Sequence, residues 1–503
     1  MTYRGATRLR RPLVRGALGT VACGHPLAAS VGVETFRSGG GAVDAALATA
    51  AALMVLMPEA CGLGGDAFML IRSASGEITA VNGSGAAGAA VAPPLAVEGA
   101  AMAAVPGAVA ALCDAHSRFG NLPLEQVLTP AVGLAGGGFP IGGGLLRMIE
   151  EERALLERGA AGWVFLDPGL RPGSLVRQPA LAGLLQRIGR HGARAFYEGH
   201  SARALERAVG AAGGSLAVAD LADHATVVRS PLSGSFRGFD VAVQPPVSQA
   251  VLALMALQAL ERSGASSRAD RAHLLVEALE AAFAHKHELA AEGAGERLLN
   301  EPLDVDPNRP AQRRGGPRGG LHTTAVAAAG ADGQVVSMLV SVYDLFGCGV
   351  LVPEGGFLLN DRLAGCSTDP DSPNAPAPGR RPVHTLSPTL VTDERRAFAL
   401  CTPGADGQVQ TLAQLIDAIA TDGENLPRAL DRPRWRSSEG RLGIESDYDP
   451  ELMGELERRG HELVRMEPGD SAFGAAVAAG IDSRTGTPFA ASDPRGGAWA
   501  AAC

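Results

Sequence analysis

The sequence is poor in several features that mark common protein classes. Lysine occurs once, at Lys286, so nearly all of the 44 basic residues are arginine, and an isolated arginine is weak evidence for a binding site. Acidic residues number 53, which gives a formal net charge of −9. Nucleic-acid binding needs a basic surface to offset phosphate charge. The composition therefore favours a small-molecule partner and no nucleic acid.

Cysteine pairs and metal-binding motifs are also missing. The seven cysteines are odd in number and scattered, and no two form a C-x-x-C pair: Cys23, Cys61, Cys113, Cys348, Cys366, Cys401 and Cys503. The stretch "HKHEL" at His285 lacks the H-E-x-x-H spacing that puts two imidazoles on one helix face. We therefore expect neither a disulfide framework nor a metal or other cofactor.

No apolar run is long enough to cross a bilayer. The longest, Ala45 to Met57, ends at Pro58 and Glu59, and a membrane-spanning helix needs about 20 apolar residues. This run predicts a buried helix. The N-terminus is basic, but Arg15 and nearby glycines interrupt the apolar segment of a signal peptide. These features predict no membrane partner and a cytoplasmic rather than a periplasmic location.

After the buried helix, a glycine-rich turn at Gly62, Gly64 and Gly65 leads into a strand from Ala67. Such glycines either permit a tight helix-to-strand connection or let backbone N–H groups cradle an anion. The tight connection is favoured, because no helix follows the motif as phosphate binding requires.

The organisation changes near the middle of the chain. From Ala108 to Arg268 the pattern indicates mostly amphipathic helices, and residues 304–320 read as an exposed flexible segment. Apolar residues then alternate with period two, and Asp332-Gly333 predicts a hairpin between strands 323–329 and 335–342.

A second strand, "RAFALCT", runs into the turn "PGADG", where the N–H groups of Gly404 and Ala405 could point into a site. A helix follows, with one apolar face formed by Leu412, Leu415, Ile416 and Ile419.

Two threonines, Thr323 and Thr324, open the first strand after the flexible segment. As β-branched residues they could simply begin that strand. Alternatively, cleavage of the preceding peptide bond would place a new α-amino group, with a pKa of about 8, beside the hydroxyl of the same residue. One residue would then supply both a nucleophile and its base.

The chain resembles the γ-glutamyltransferase family over nearly its whole length, from about His25 to "AASDPRGG" near the end. The motifs that carry the resemblance are "HPLAASVGVETFRSGGGAVDAALA", "MPEACGLGGDAFML", "PPVSQAVLALMALQALE", "TTAVAAAGADGQVVSML", "FGCGVLVPEGGFLLNDR" and "GRRPVHTLSPTLV".

The resemblance implies an α+β fold, the αββα sandwich of N-terminal-nucleophile hydrolases, formed from a precursor that cleaves itself. Cleavage between His322 and Thr323 would give a large subunit, residues 1–322, ending in the flexible loop 304–322, and a small subunit, residues 323–503. The two would stay together, and a dimer of such pairs is possible for the family.

The resemblance also assigns a catalytic set. Thr323 matches the family's nucleophile, and Thr324 beside it is expected to contact substrate. Ser341 stands where the family has a threonine that contacts the nucleophile. Gly404 matches the first oxyanion-hole glycine, while Ala405 replaces the second.

The family's recognition set for a γ-glutamyl group is mostly absent. Its arginine for the substrate α-carboxylate aligns near Ser84, and its aspartate for the α-amino group aligns at Gly365. Its asparagine near the nucleophile becomes Tyr343, and its serine pair becomes His384-Thr385. These replacements make glutathione a doubtful substrate.

Two of the replacing residues leave alternatives open. Arg362 stands where the family commonly has glutamine, and it is either a receptor for a substrate carboxylate or a surface arginine. His384 is either a ligand contact or a structural hydrogen-bonding residue.

The sequence predicts an autoprocessed N-terminal-threonine amidohydrolase or acyltransferase that acts on a small amide through an acyl-enzyme. One alternative is a true γ-glutamyltransferase that hydrolyses glutathione. The other is a non-catalytic relative retained for binding or as a scaffold.

Overall fold

The computed structural model describes residues 11–93, 95, 98–312 and 322–503. The predicted location depends partly on the basic N-terminus, of which residues 1–10 lie outside the described residues. Residues 313–321 of the predicted flexible loop also lie outside them.

The strands are, in chain order, β1 (Val14–Arg15), β2 (Gly19–Cys23), β3 (Asp66–Arg72), β4 (Ile78–Gly83), β5 (Phe139–Pro140), β6 (Leu175–Val176), β7 (Val227–Arg229), β8 (Leu232–Phe236), β9 (Phe239–Val243), β10 (Thr324–Gly330), β11 (Val335–Ser341), β12 (Leu351–Val352), β13 (Phe357–Leu358), β14 (Thr389–Thr392), β15 (Arg396–Cys401), β16 (Trp435–Ser438), β17 (Arg441–Glu445), β18 (Leu463–Met466), β19 (Val477–Asp482), β20 (Pro488–Ser492) and β21 (Trp499–Ala502).

The helices are α1 (Pro26–Arg37), α2 (Ala42–Leu56), α3 (Ala108–Phe119), α4 (Leu124–Gly137), α5 (Gly143–Glu151), α6 (Arg153–Gly159), α7 (Pro179–His191), α8 (Arg194–Tyr197), α9 (Gly199–Ala211), α10 (Val218–Ala222), α11 (Val251–Ser263), α12 (Arg268–Phe283), α13 (Ala294–Asn300), α14 (Gly407–Thr421), α15 (Leu426–Asp431) and α16 (Pro450–Arg458). Among the helices that the structure describes, none combines the length and the apolar character that a membrane span requires.

Two seven-stranded antiparallel sheets form the centre of the molecule. Their strand orders are β1-β20-β19-β15-β14-β9-β8 and β21-β2-β10-β11-β3-β4-β7. Helices α1, α2 and α3 cover the outer face of the second sheet, and α11 and α14 cover that of the first. Helix α4 packs on α2, and α12 packs on α11 and α14. The layers run helix, sheet, sheet, helix, which confirms the predicted αββα sandwich.

The two sheets pack through small side chains. On β10, Ala325, Ala327 and Ala329 face the opposite sheet, while Val326 and Ala328 face the helices. Side chains on a strand alternate between its faces, so a strand buried on both faces reads as a continuous apolar run. Alanine on the inner face lets the two backbones approach closely.

Both sheets take strands from each side of the predicted cleavage junction. β2, β3, β4 and β7 precede it and share a sheet with β10, β11 and β21, which follow it. The sequence pattern indicated mostly amphipathic helices with loops between 108 and 268, and it did not identify β7, β8 and β9. Those strands have five residues or fewer, and the three central residues of β8 are serine and glycine. Their apolar periodicity is therefore weak.

The local predictions near the site are confirmed. Helix α2 is buried along its whole length, and the apolar face of α14 is buried as expected. The hairpin pairs β10 with β11 around Gly333, which has a φ of +93° that favours glycine.

The glycine-rich turn before β3 serves close packing. A Cβ added at Gly64 would lie 2.1 Å from the carbonyl oxygen of Leu358, and one at Gly65 would lie 2.1 Å from that of Ser341. The tight-connection alternative therefore accounts for both of these glycines.

Candidate active site

Three strand ends align a row of polar side chains. Thr323 immediately precedes β10, and because β10 pairs Thr324 with Val340, Thr323 lies opposite Ser341 at the end of β11. β11 in turn pairs Ser341 with Asp66 at the start of β3. Residues two positions further into each strand belong to the apolar layer between the sheets. The row of polar side chains therefore lies at one end of the apolar layer between the sheets.

The hydroxyl groups of Thr323 and Ser341 meet at the peptide bond before Thr323. Thr323 Oγ lies 2.5 Å from the carbonyl oxygen of His322 and 3.1 Å from Ser341 Oγ. Ser341 Oγ lies 3.1 Å from the same carbonyl oxygen and accepts a hydrogen bond from the backbone N–H of Tyr343 at 3.0 Å. The carbonyl group at the junction is thus surrounded by two hydroxyl donors.

Thr324 does not join this row. It lies on the opposite face of the strand, where a Cβ added to Gly24 would approach its hydroxyl to 2.4 Å. Among the described residues this buried hydroxyl has no hydrogen-bond partner. The predicted contact between Thr324 and substrate therefore has no support in the structure, and strand alternation is the physical reason.

The predicted oxyanion turn lies at the same end of the sandwich. Cys401 Sγ donates to the carbonyl oxygen of Val326 at 3.4 Å, so the end of β15 lies over the start of β10. Gly404 and Ala405 follow with φ angles of +127° and +47°. Within the described part of the chain, neither of their N–H groups donates a hydrogen bond. Gln249 Nε2 fixes the turn by donating to the carbonyl oxygen of Ala405 at 3.2 Å.

Asp66 is the central charge of the site and had no role in the sequence prediction. It is fully buried, and Oδ2 accepts hydrogen bonds from Arg362 Nε at 2.7 Å and His384 Nε2 at 3.0 Å. Burial alone would raise its pKa, but Arg362 and His384 outweigh this and hold the pKa below the usual value. The sequence did contain a signal for Asp66, because an acidic residue begins the apolar run "DAFML". A buried charge requires a partner, so this pattern indicates a buried ion pair.

His384 uses both ring nitrogens within the chain. Leu386 N–H donates to Nδ1 at 3.1 Å, which leaves the proton on Nε2 for Asp66. Burial, then the charge of Arg362, lowers the pKa of His384 to about 4, so the ring is neutral near pH 7. The structure favours the structural alternative for His384. The neighbouring Thr385 is buried, and its carbonyl oxygen accepts from Gln249 Nε2 at 3.4 Å.

Arg362 is not the surface residue that one alternative proposed. Its side chain is 0% exposed, and its guanidinium lies 4.4 Å from the ring centre of Tyr343. Nε is paired with Asp66, but among the described residues Nη1 and Nη2 have no hydrogen-bond partner. A buried guanidinium with two unpaired groups carries a high desolvation cost, which a ligand carboxylate would offset.

The positions that replace the γ-glutamyl recognition residues are also in this region. Ser84 follows β4 next to Asp66, and its hydroxyl donates to Asn82 Oδ1 at 2.7 Å. A Cβ added to Gly365 would lie 3.7 Å from the hydroxyl of Tyr343. Ser84 thus lies beside Asp66 and Gly365 beside Tyr343, and neither Ser84 nor Gly365 presents a charge there.

A cavity of about 510 Å³ borders the junction. It is lined by His322 and by five acidic residues, Glu98, Glu151, Glu152, Asp344 and Asp361. Burial, then the charge of Asp344, raises the pKa of Asp361 to about 8, while burial lowers the pKa of His322. Water can thus reach the junction from this side.

Comparison with known proteins agrees with this architecture. The family model described as gamma-glutamyltranspeptidase matches residues 28–503. The acylase ACY 1 proenzyme of a Pseudomonas species is 33% identical over 90% of this chain and 88% of its own length. The oxamate amidohydrolase proenzyme of Klebsiella pneumoniae is 30% identical over 94% and 96%. The crystal structure of cephalosporin acylase from Bacillus halodurans superposes with a TM-score of 0.87 at 28% identity, covering 100% of this chain and 99% of that one. The chain therefore belongs to the gamma-glutamyltranspeptidase family, and it is an N-terminal-nucleophile amide hydrolase or acyltransferase made as a self-processing precursor.

Proposed function

We propose that this protein hydrolyses amides of small acyl groups that carry a carboxylate but no α-amino group, with Thr323 as nucleophile. The observation that carries the proposal is the buried guanidinium of Arg362, whose Nη1 and Nη2 have no partner in the described chain. The relative named oxamate amidohydrolase supports it by chemistry, because oxamate is an amide whose acyl group bears a carboxylate.

Self-cleavage is the first step of the proposal. Thr323 Oγ attacks the carbonyl carbon of His322, and its proton passes to Ser341 Oγ as Ser341 gives up its own proton to the amide nitrogen of Thr323. The Ser341 hydroxyl that results donates to the oxyanion on the former carbonyl oxygen. The C–N bond then breaks, and the acyl group of His322 shifts to Thr323 Oγ. Water hydrolyses this ester and leaves a carboxylate on His322 and a free amino group on Thr323.

The mature enzyme uses the released amino group as its base. Thr323 Oγ attacks the substrate amide carbonyl while the α-amino group takes the proton and returns it to the leaving amine. The N–H groups of Gly404 and Ala405 hold the oxyanion, which fits their lack of other partners in the described chain. Water, or a competing amine, then releases the acyl group.

Arg362 supplies the charge that selects the acyl group. Asp66 occupies only the Nε side of the guanidinium, so the two Nη groups are left to bind a carboxylate as a fork. Contacts lead from this fork to the nucleophile: the guanidinium stacks on Tyr343, and the Tyr343 N–H bonds Ser341 beside Thr323.

A γ-glutamyl donor fits the same region less well. Its α-amino group needs an acidic partner, and Gly365 has no side chain to provide one. Ser84 already donates its hydroxyl to Asn82, so it offers no charge to an α-carboxylate. Each missing charged hydrogen bond costs about 1.5 to 3 kcal/mol of binding.

The test compares three p-nitroanilides with the same reacting amide: glutaryl, γ-glutamyl and butyryl. We expect the highest kcat/KM for the glutaryl compound, which keeps the carboxylate and lacks the amino group. Arg362→Gln alone would leave the buried Asp66 charge without a cationic partner, so the informative variant is Asp66→Asn with Arg362→Gln, which removes both buried charges. KM for the glutaryl compound should rise about 10- to 100-fold in this variant, with little change for butyryl.

The remaining outcomes separate the alternatives. Faster hydrolysis of the γ-glutamyl compound would identify a true γ-glutamyltransferase. A self-cleaved protein that turns over none of the three would favour the binding or scaffold alternative. Equal effects of the double variant on glutaryl and butyryl compounds would remove Arg362 from substrate recognition.

A further inference from the structure

Two imidazoles and a carboxylate converge outside the active site. His273 and Glu277 lie one turn apart on α12, and His461 follows α16. One ligand atom from each of these buried residues lies within 4.8 Å of the other two. We propose that these three residues bind a divalent first-row metal ion of the Zn²⁺ type, and that this ion joins the two subunits, since His461 follows the cleavage junction and the other two precede it.

The hydrogen bonds of His273 prepare it as a ligand. Its Nε2 lies 3.0 Å from the carbonyl oxygen of Arg309, which only accepts, so the ring proton is on Nε2. Nδ1 therefore presents its lone pair toward His461 Nε2, 2.7 Å away. Metal-bound histidines are typically oriented in this way, with the second ring nitrogen donating to a backbone carbonyl.

Glu277 is oriented by the same segment of chain. One of its carboxylate oxygens, Oε2, accepts from the Gln312 N–H at 3.0 Å. Two imidazole nitrogens and one carboxylate oxygen form a ligand set that Zn²⁺ prefers. A cavity of about 20 Å³ borders Glu277 and His461, which is enough for one water molecule as a fourth ligand.

Metal binding needs only a small adjustment of the rings. Two nitrogens bound to one tetrahedral Zn²⁺ at about 2.0–2.1 Å lie about 3.3 Å apart. His273 Nδ1 and His461 Nε2 must therefore separate by about 0.6 Å from their present hydrogen-bond distance. His461 then carries its proton on Nδ1 and offers Nε2 to the ion.

The position of the cluster indicates which parts of the chain the ion would connect. Arg309 and Gln312, which orient the ligands, belong to the segment that runs toward the junction, and Ala311 N–H donates to the carbonyl oxygen of Arg459 just before His461. The ion would fasten the end of the large subunit to the small subunit after cleavage.

Metal content is measured by equilibrium dialysis of the purified full chain against Zn²⁺, followed by mass spectrometry of the bound metal. We expect about one Zn²⁺ per chain, and the same in Thr323→Ala, which keeps the chain uncleaved. Equal binding by this variant makes the result independent of self-cleavage and of the proposed function. His273→Gln and His461→Gln should lose the ion, and the matched control, His191→Gln on an exposed helix end, should keep it.

Two further measurements distinguish ligation from a structural role. Co²⁺ in place of Zn²⁺ should give the intense visible absorption of four-coordinate cobalt, and His461→Cys should keep the metal and add a thiolate charge-transfer band. Zn²⁺ should raise the Tm of the wild-type chain but not of His461→Gln. Retention of the ion by His461→Gln, or no retention by a folded wild-type chain, would overturn the proposal.

Discussion

Thr323 Oγ and Ser341 Oγ lie 3.1 Å apart, and both reach the carbonyl oxygen of His322. The register of the hairpin produces this relationship, because pairing Thr324 with Val340 puts the preceding threonine opposite Ser341. A slip of one residue would turn the hydroxyl of Ser341 to the other face of the sheet.

Replacement of the proposed nucleophile tests the cleavage position. Thr323→Ala should remain a single chain, while Thr323→Ser should still cleave, because it keeps a hydroxyl at the junction. The matched control is Thr324→Val, whose side chain lies on the other face of the strand. Intact mass and N-terminal sequencing should show its small fragment beginning Thr-Val-Ala-Val. Cleavage of Thr323→Ala would contradict the assignment.

Ser341 should control the rate of self-cleavage. Ser341→Ala removes both the proton acceptor for Thr323 and a donor to the oxyanion, so cleavage should slow about 100-fold. Ser341→Thr keeps the hydroxyl and should cleave at a rate close to that of the wild type. Ser337→Ala, on the same strand and face, is the control and should not slow cleavage. The time course of fragment formation on a denaturing gel gives each rate.

The buried pair of Asp66 and Arg362 should show strong coupling. Asp66→Asn leaves an uncompensated buried guanidinium and should lower the free energy of unfolding by about 3 to 5 kcal/mol. Adding Arg362→Gln should recover much of this loss, because no buried charge then remains without its partner. Denaturant unfolding in the uncleaved Thr323→Ala background measures both changes. Additive losses in the double variant would argue against the pair.

Ala405 occupies a left-handed conformation in the oxyanion turn. Its φ of +47° is a region that glycine adopts freely and an L-residue adopts at a cost of about 1 kcal/mol. Ala405→Gly should therefore raise the stability of the uncleaved chain by up to about 1 kcal/mol and preserve turnover. Ala405→Val should lower both the stability of the uncleaved chain and turnover, because a β-branched residue fits the left-handed region worse than alanine does. A lower stability of Ala405→Gly would contradict a left-handed conformation at residue 405.

Glu59 should make stability fall as pH rises. Burial raises its pKa from 4.5 to about 8, so the folded chain keeps a proton that the unfolded chain loses above about pH 4.5. Between these values unfolding releases a proton, and the free energy of unfolding decreases with pH. Glu59→Gln does not titrate, so its advantage should grow from near zero at pH 4.5 to about 3 to 5 kcal/mol at pH 8.5. Parallel pH profiles of the two chains would contradict this.

Features that depend on neighbouring residues could be predicted from the sequence. The apolar period and the Asp332-Gly333 turn predicted the hairpin, and that hairpin carries Thr323 to Ser341. The turn at Gly404 and the helix after it followed from the same kind of pattern. Strand alternation, which the prediction did not apply to Thr324, would have placed that residue on the far face.

The pairing of charges inside the molecule depends on long-range packing, which the sequence pattern does not specify. Asp66 lies 296 residues before Arg362 and 318 before His384 in the sequence, yet the three side chains form one buried network. The sequence left Arg362 as either a surface residue or a ligand receptor, because burial depends on which strands pack together. Local periodicity specifies a strand and its faces, but long-range packing decides which side chains meet across them and which are removed from water.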